Sequence, residues 1–200
     1  MTTRRTLACA ALVAAISVSS AFAQQTVRVR GTIEKVDGNA LSVKGDDGAV
    51  VTLMLTSDAA VVGVVKATLA DVKEGSFVGS AAMPQPDGSQ KALEVHIFAE
   101  SQRGTGEGHR PFSVPNSTMT NGTVGDMVTA SDGQSLTVKY KGGEKKIVVP
   151  PGVPIVRYEI GERSELKLGA RVTATSAVKK PDGTLEAARI NVGRGGLVPQ

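Results

Sequence analysis

The sequence predicts an all-β protein built as two small closed barrels in tandem, each with one short helical turn, behind a cleavable leader. Three observations carry that prediction. Short runs of Val, Ile and Leu alternate with polar residues, the mark of strands with one buried face. Gly-containing turns such as Asp37-Gly38-Asn39 and Pro86-Asp87-Gly88 separate the runs. The whole order of runs and turns is then written a second time.

Composition bounds the rest. The 200 residues are 40% hydrophobic and 21% charged, as in a folded protein, but only 3% aromatic with no Trp. The core must therefore be aliphatic, and few rings remain for stacking bases. Arg4 and Arg5, the apolar run Leu7 to Val18 and the small-residue site Ala21-Phe22-Ala23 form a secretory leader cleaved after Ala23. That run is too short to cross a membrane, and Cys9 precedes it, so it is no lipid anchor. Residues after Arg4-Arg5 fit a twin-arginine signal poorly, which favours ordinary export to the periplasm or beyond. Cleavage removes the single Cys and two of the 23 basic residues, leaving 21 basic against 19 acidic. The exported chain then has no disulfide, no thiolate ligand, no transmembrane segment and too little positive charge for a nucleic-acid partner.

In order, Val27, Val29 and Ile33 face one side of a first strand, with Arg28, Arg30 and Glu34 on the other. Leu41 and Val43 form a second strand. Gly45 to Gly48 turns the chain into a third, Val51, Leu53 and Leu55. Val61 to Val65 reads as a separate short buried strand. Thr68 caps a helical turn that Gly75 stops. Phe77 to Met83 is the next strand, and Leu93, Val95 and Ile97 form the inward face of the last, with Ala92, Glu94, His96 and Phe98 turned outward. About 95 residues on, the order recurs. Asp132-Gly133 matches Asp37-Gly38, Leu166-Lys167-Leu168-Gly169 matches Val72-Lys73-Glu74-Gly75, and Pro181-Asp182-Gly183 matches Pro86-Asp87-Gly88. Ala188, Ile190 and Val192 fall on Leu93, Val95 and Ile97. Such a unit must hide its apolar face and its edges, and a five-stranded OB-like barrel fits the element order, with an open meander packed on its twin as the alternative.

The openings Gly31-Thr32-Ile33 and Gly122-Thr123-Val124, the Asp-Gly hairpins and the Lys-x-Gly turns resemble a family of exported bacterial proteins of unknown function built from OB-like β-barrel repeats. The resemblance implies the fold over nearly the whole exported chain. Some relatives carry a metal-transporter permease label, which a chain without spans does not fit. The expected division is a leader at 1–23, barrels at 24–100 and 118–193, a Gly/Pro-rich linker at 101–117 and a tail at 194–200.

For a site, the linker stands out: Arg103, Glu107, His109, Arg110 and Phe112 are too varied for a spacer and are the candidate ligand or partner contacts. The Gly104 to Gly108 run lacks the Lys-Ser/Thr of a phosphate loop. No Gly-x-Ser-x-Gly elbow occurs, and Asp46-Asp47 reads as a hairpin tip, so no catalytic residue, metal ligand set or cofactor is assigned. The expectation is a non-catalytic binding or structural module of the cell envelope, its partner an envelope protein or small ligand. A metal-handling accessory using His96, His109 and Met83, Met119 or Met127 is the alternative, and an unrecognised enzyme the second.

Overall fold

Residues 26–130 and 133–199 are described in a computed structural model of the chain. The leader, its cleavage point and Asp132 lie outside the described residues. Among the described residues strand makes up 62% and no helix reaches seven residues, so this part of the protein is all-β. The strands are β1 (Thr26–Asp37), β2 (Ala40–Lys44), β3 (Val50–Ala67), β4 (Phe77–Pro84), β5 (Gln90–Ile97) and β6 (Gly108–Pro111). They continue as β7 (Thr118–Ala130), β8 (Gly133–Tyr140), β9 (Gly143–Val149), β10 (Ile155–Ile160), β11 (Arg171–Lys179) and β12 (Leu185–Gly193).

The expected break after Ser57-Asp58 is absent. β3 runs unbroken for 18 residues, and at about 3.3 Å per residue it reaches up to about 60 Å, farther than one small barrel is tall. Its first part pairs with β2, its second part with β10, and β12 lies parallel to both parts. The consequence is topological. One closed barrel runs β1-β2-β3-β12-β11 and back to β1, taking three strands from the N-terminal half of the chain and two from the C-terminal half. The complementary ring, β4-β7-β8-β9-β5, is closed by a short parallel β5–β9 pairing. Residues 24–100 therefore do not close a ring by themselves, and neither do residues 118–193. Each ring draws strands from both halves of the chain.

Backbone hydrogen bonds state the exchange twice. Ile33 N–H donates to Ala170 O at 2.9 Å and Gly169 N–H donates to Ile33 O at 2.8 Å; Val124 N–H donates to Ser76 O at 2.9 Å and Gly75 N–H to Val124 O at 2.8 Å. Each first strand is thus stitched to the Lys-x-Gly turn of the other copy. Gly75 and Gly169 both sit at φ +82°, a conformation that only Gly adopts without strain. The turns hold short 3-10 segments, Leu69–Asp71 and Arg163–Glu165. In the first, the Thr68 N–H and hydroxyl both donate to the Asp71 carboxylate.

Ile33, Leu41, Leu53 and Ile190 centre one core; Val95, Leu136, Val138 and Ile147 centre the other. A third cluster, Val62, Val64, Phe77, Phe98, Val156 and Tyr158, lies on the seam between them. Along β5 the expected inward face is corrected by a bulge. Ala81 pairs with Glu94 and Ala82 with Ala92, so Leu93 is skipped and left 41% exposed while Ala92 enters the core. Ala188 of β12 is also passed over, where the register with β3 shifts between Ala187 and Arg189. The tail is fastened: Arg194 donates to Glu159 and Glu165, and Thr173 Oγ1 donates to Pro199 O. Among the described residues no helix is long and apolar enough to cross a membrane.

Candidate functional site

The seam holds a cavity of about 690 Å³, within the size range of small-molecule sites. Its floor comes from β5, β10 and β12, which the exchange brings together around β3. The linker contributes Arg110, Phe112 and Val114, and Arg28 of β1 and Ser176 of β11 add to the lining.

On the floor is a buried polar chain. Glu94 and His96, 8% and 7% exposed, stand on the same side of β5, and His96 pairs across to Val156 of β10, two residues before Tyr158. His96 Nε2 meets Glu94 Oε1 at 2.5 Å, and Tyr158 Oη meets His96 Nδ1 at 3.2 Å. A carboxylate only accepts, so with Glu94 ionised Nε2 carries the proton and the bare Nδ1 takes the phenol hydrogen. Every member of the chain thus has a hydrogen-bond partner. Burial pushes the Tyr158 phenol far above its ordinary pKa, and the nearby Glu94 adds to the rise. The phenol therefore stays protonated: it is a donor and not a nucleophile.

Arg189 lies over the Tyr158 ring, 5.7 Å from its centroid, and reaches Asn191 Oδ1 at 3.4 Å. Burial lowers its pKa. Arg28 lies over Phe112 at 5.6 Å. Arg110 Nη1 donates to Gly106 O at 2.6 Å. Among the described residues none of these three guanidiniums has a carboxylate within ion-pair distance, whereas Arg103, Arg171 and Arg194 all do. Asn121 is 5% exposed; its Nδ2 donates to Thr105 O while its Oδ1 has no partner.

The structure divides the five linker candidates. Arg110 and Phe112 line the cavity. Arg103 turns away, forking onto Glu100 and donating to Gly75 O and Thr123 Oγ1, so it straps the linker to the ring. Glu107 accepts the Lys141 N–H at the β8–β9 turn. His109 bonds Thr120 Oγ1 at 2.8 Å and stacks on Tyr140; burial, then Lys145, lowers its pKa. The linker is not a loose spacer, since Gly108–Pro111 forms β6 against β7.

His96, expected on the exposed face of its strand, is buried in the seam instead. The outer face of a barrel strand is solvent-facing only where nothing covers it, and here Tyr158 of β10 packs against His96. Arg28, Glu94, Tyr158, Arg189 and Asn191 escaped the sequence reading. Their signal is visible in the repeat: on strands otherwise conserved in pattern, Glu94 and His96 fall on Arg189 and Asn191, an unusual density of polar groups beside core residues. Of the methionines, Met119 lines the cavity and Met127 packs on the second core. Among the described residues no three His, Asp or Glu side chains gather as metal ligands. Comparison with protein-family models, with curated proteins and with solved structures finds nothing that matches this chain.

Proposed function

We propose that the protein is an exported, non-catalytic binding module of the bacterial cell envelope, made of two OB-like barrels that have traded halves. Its ligand seat is the cavity on their seam. The ring order β1-β2-β3-β12-β11, closed by a parallel pair and entered after a short helical turn, supports the OB-like reading. The observation that carries the function is the cavity: about 690 Å³, floored by a fully hydrogen-bonded Glu94–His96–Tyr158 chain and ringed by arginines without acidic partners. A polar chain satisfied in this way is rigid, and a rigid floor favours binding because little order remains to be imposed. The same chain offers no activated nucleophile, which favours binding over catalysis.

The test is amide-resolved NMR of the chain from Gln24 onwards, titrated with a library of small organic compounds. Perturbations confined to residues such as Ala81, Phe98, Met119 and Asn191 are the expected result. Compounds that bind elsewhere, or none that bind, would remove the seam as the seat.

A further inference from the structure

We infer that the seam cavity is built for a small organic acid, a carboxylate carried on an apolar body. The inference rests on the reading of the seam as a ligand seat and names the class of occupant.

Charge is the first ground. Arg28, Arg110 and Arg189 face the cavity against a single carboxylate, Glu94, which is already committed to His96. The lining is thus positive by two charges, whereas Arg103, Arg171 and Arg194 are matched to Asp or Glu. Arg189 is half-buried, and a guanidinium held there without an anion is unfavourable unless an anion arrives.

Geometry is the second. Arg189 and Arg28 each lie over an aromatic ring, Tyr158 and Phe112. Stacking occupies the flat face of a guanidinium and fixes its plane, while the N–H donors on its edge stay available. Two such forks lining one cavity suit a planar carboxylate that accepts paired hydrogen bonds.

The apolar body follows from the walls. Phe98, Phe112 and Met119 line the interior, and Leu93 and Val114 at the mouth are 41% and 47% exposed. Leu93 is there because the β5 bulge turns it out of the core and toward the cavity. An occupant with an aliphatic or aromatic body would cover both side chains, at about 25 cal/mol per Å² buried. A bare inorganic anion would leave them wet.

Isothermal titration with 4-phenylbutanoate, 4-phenylbutanamide, 4-phenylbutylamine and inorganic phosphate separates the parts. The acid is expected to bind at least about tenfold more tightly than the amide, with weakening as salt is raised, and the amine not at all. Phosphate should bind weakly or not at all. Arg28→Gln and Arg110→Gln, both at exposed positions, should each weaken the acid several-fold and leave the amide unchanged; Arg189→Gln should weaken it most. If the amide binds as tightly as the acid, and its NMR perturbations map to the seam, the seat stands and the acid specificity falls. If phosphate alone matches the acid, the apolar body is wrong. If no probe perturbs the seam, both readings fall.

Discussion

Residues 94–98 and 189–193 hold equivalent places in the last strands of the two copies, and they differ where it matters. The core positions agree: Val95 and Ile97 answer Ile190 and Val192, all buried. The bulge agrees too. The other face diverges, with Glu94, His96 and Phe98 set against Arg189, Asn191 and Gly193. Across the centre of the seam Tyr158 pairs with Val64, its own counterpart in the first copy. Gly193 has a local reason, since a Cβ there would meet Leu197 O, so the tail occupies the space that Phe98 fills on the other side. Because each ring draws strands from both halves of the chain, both strands reach one cavity. An asymmetric site can then evolve on the seam while each core is left alone, because side chains on opposite faces of a strand are packed independently.

The comparison breaks most completely if the exchange is wrong. Residues 24–100 expressed alone are expected to give no folded monomer, because the strands closing each ring are missing; they remain unfolded or pair as a swapped dimer. Circular dichroism with analytical ultracentrifugation reads this, and a folded monomer would restore the tandem arrangement. Next in size, Leu53→Ala in the first core should destabilise by about 2–5 kcal/mol. Fluorescence probes placed in either ring should report the same single transition, since β3 serves the first barrel and the seam alike. Two separate transitions would mean that the rings are independent.

Tyr158→Phe sharpens the contrast at the seam. It leaves His96 Nδ1 without its donor and should cost about 1–3 kcal/mol, read by urea unfolding, whereas Val64→Thr at the paired position leaves the relay intact. An unchanged midpoint for Tyr158→Phe would show that the phenol contributes nothing there.

The smallest effect separates the two helical turns. Glu165 is held down to about 2, chiefly by the Arg194 hydrogen bond, while its counterpart Asp71 is lowered by Thr68. A carboxylate with a depressed folded pKa leaves the unfolded chain binding more protons in acid. Its stabilisation is therefore complete above about pH 4.5 and lost as the pH falls toward about 2. Glu165→Gln should flatten that acid slope by about 1 kcal/mol, discounted for partial exposure. Asp71→Asn should flatten it less. Equal slopes in the two variants would show that Arg194 adds nothing beyond the local turn.

Much of the secondary structure was legible because its causes are local. The Gly38, Gly75 and Gly88 turns, the alternation of Val27, Val29 and Ile33, and the capped turn at Thr68 all follow from residues within a few positions of one another. The candidate site was half legible. Arg110 and Phe112 were marked by their company in a Gly-rich stretch, but so were Arg103, Glu107 and His109, which turn out to fasten the linker. Composition cannot tell a side chain that holds a loop down from one that faces a cavity. Glu94 and His96 were assigned correctly to one face, yet that face was read as wet because the period of a strand says nothing of what lies across from it.

Local chemistry in the sequence thus determined where this chain turns and which side chains are apolar enough to seek a core. Which copy supplies which wall was settled only in three dimensions. Pairing between strands uses backbone groups that every residue carries, so β11 fits beside β1 as well as β4 would, and the length of the unbroken β3 tips the choice. The seam and its cavity arise from that long-range decision.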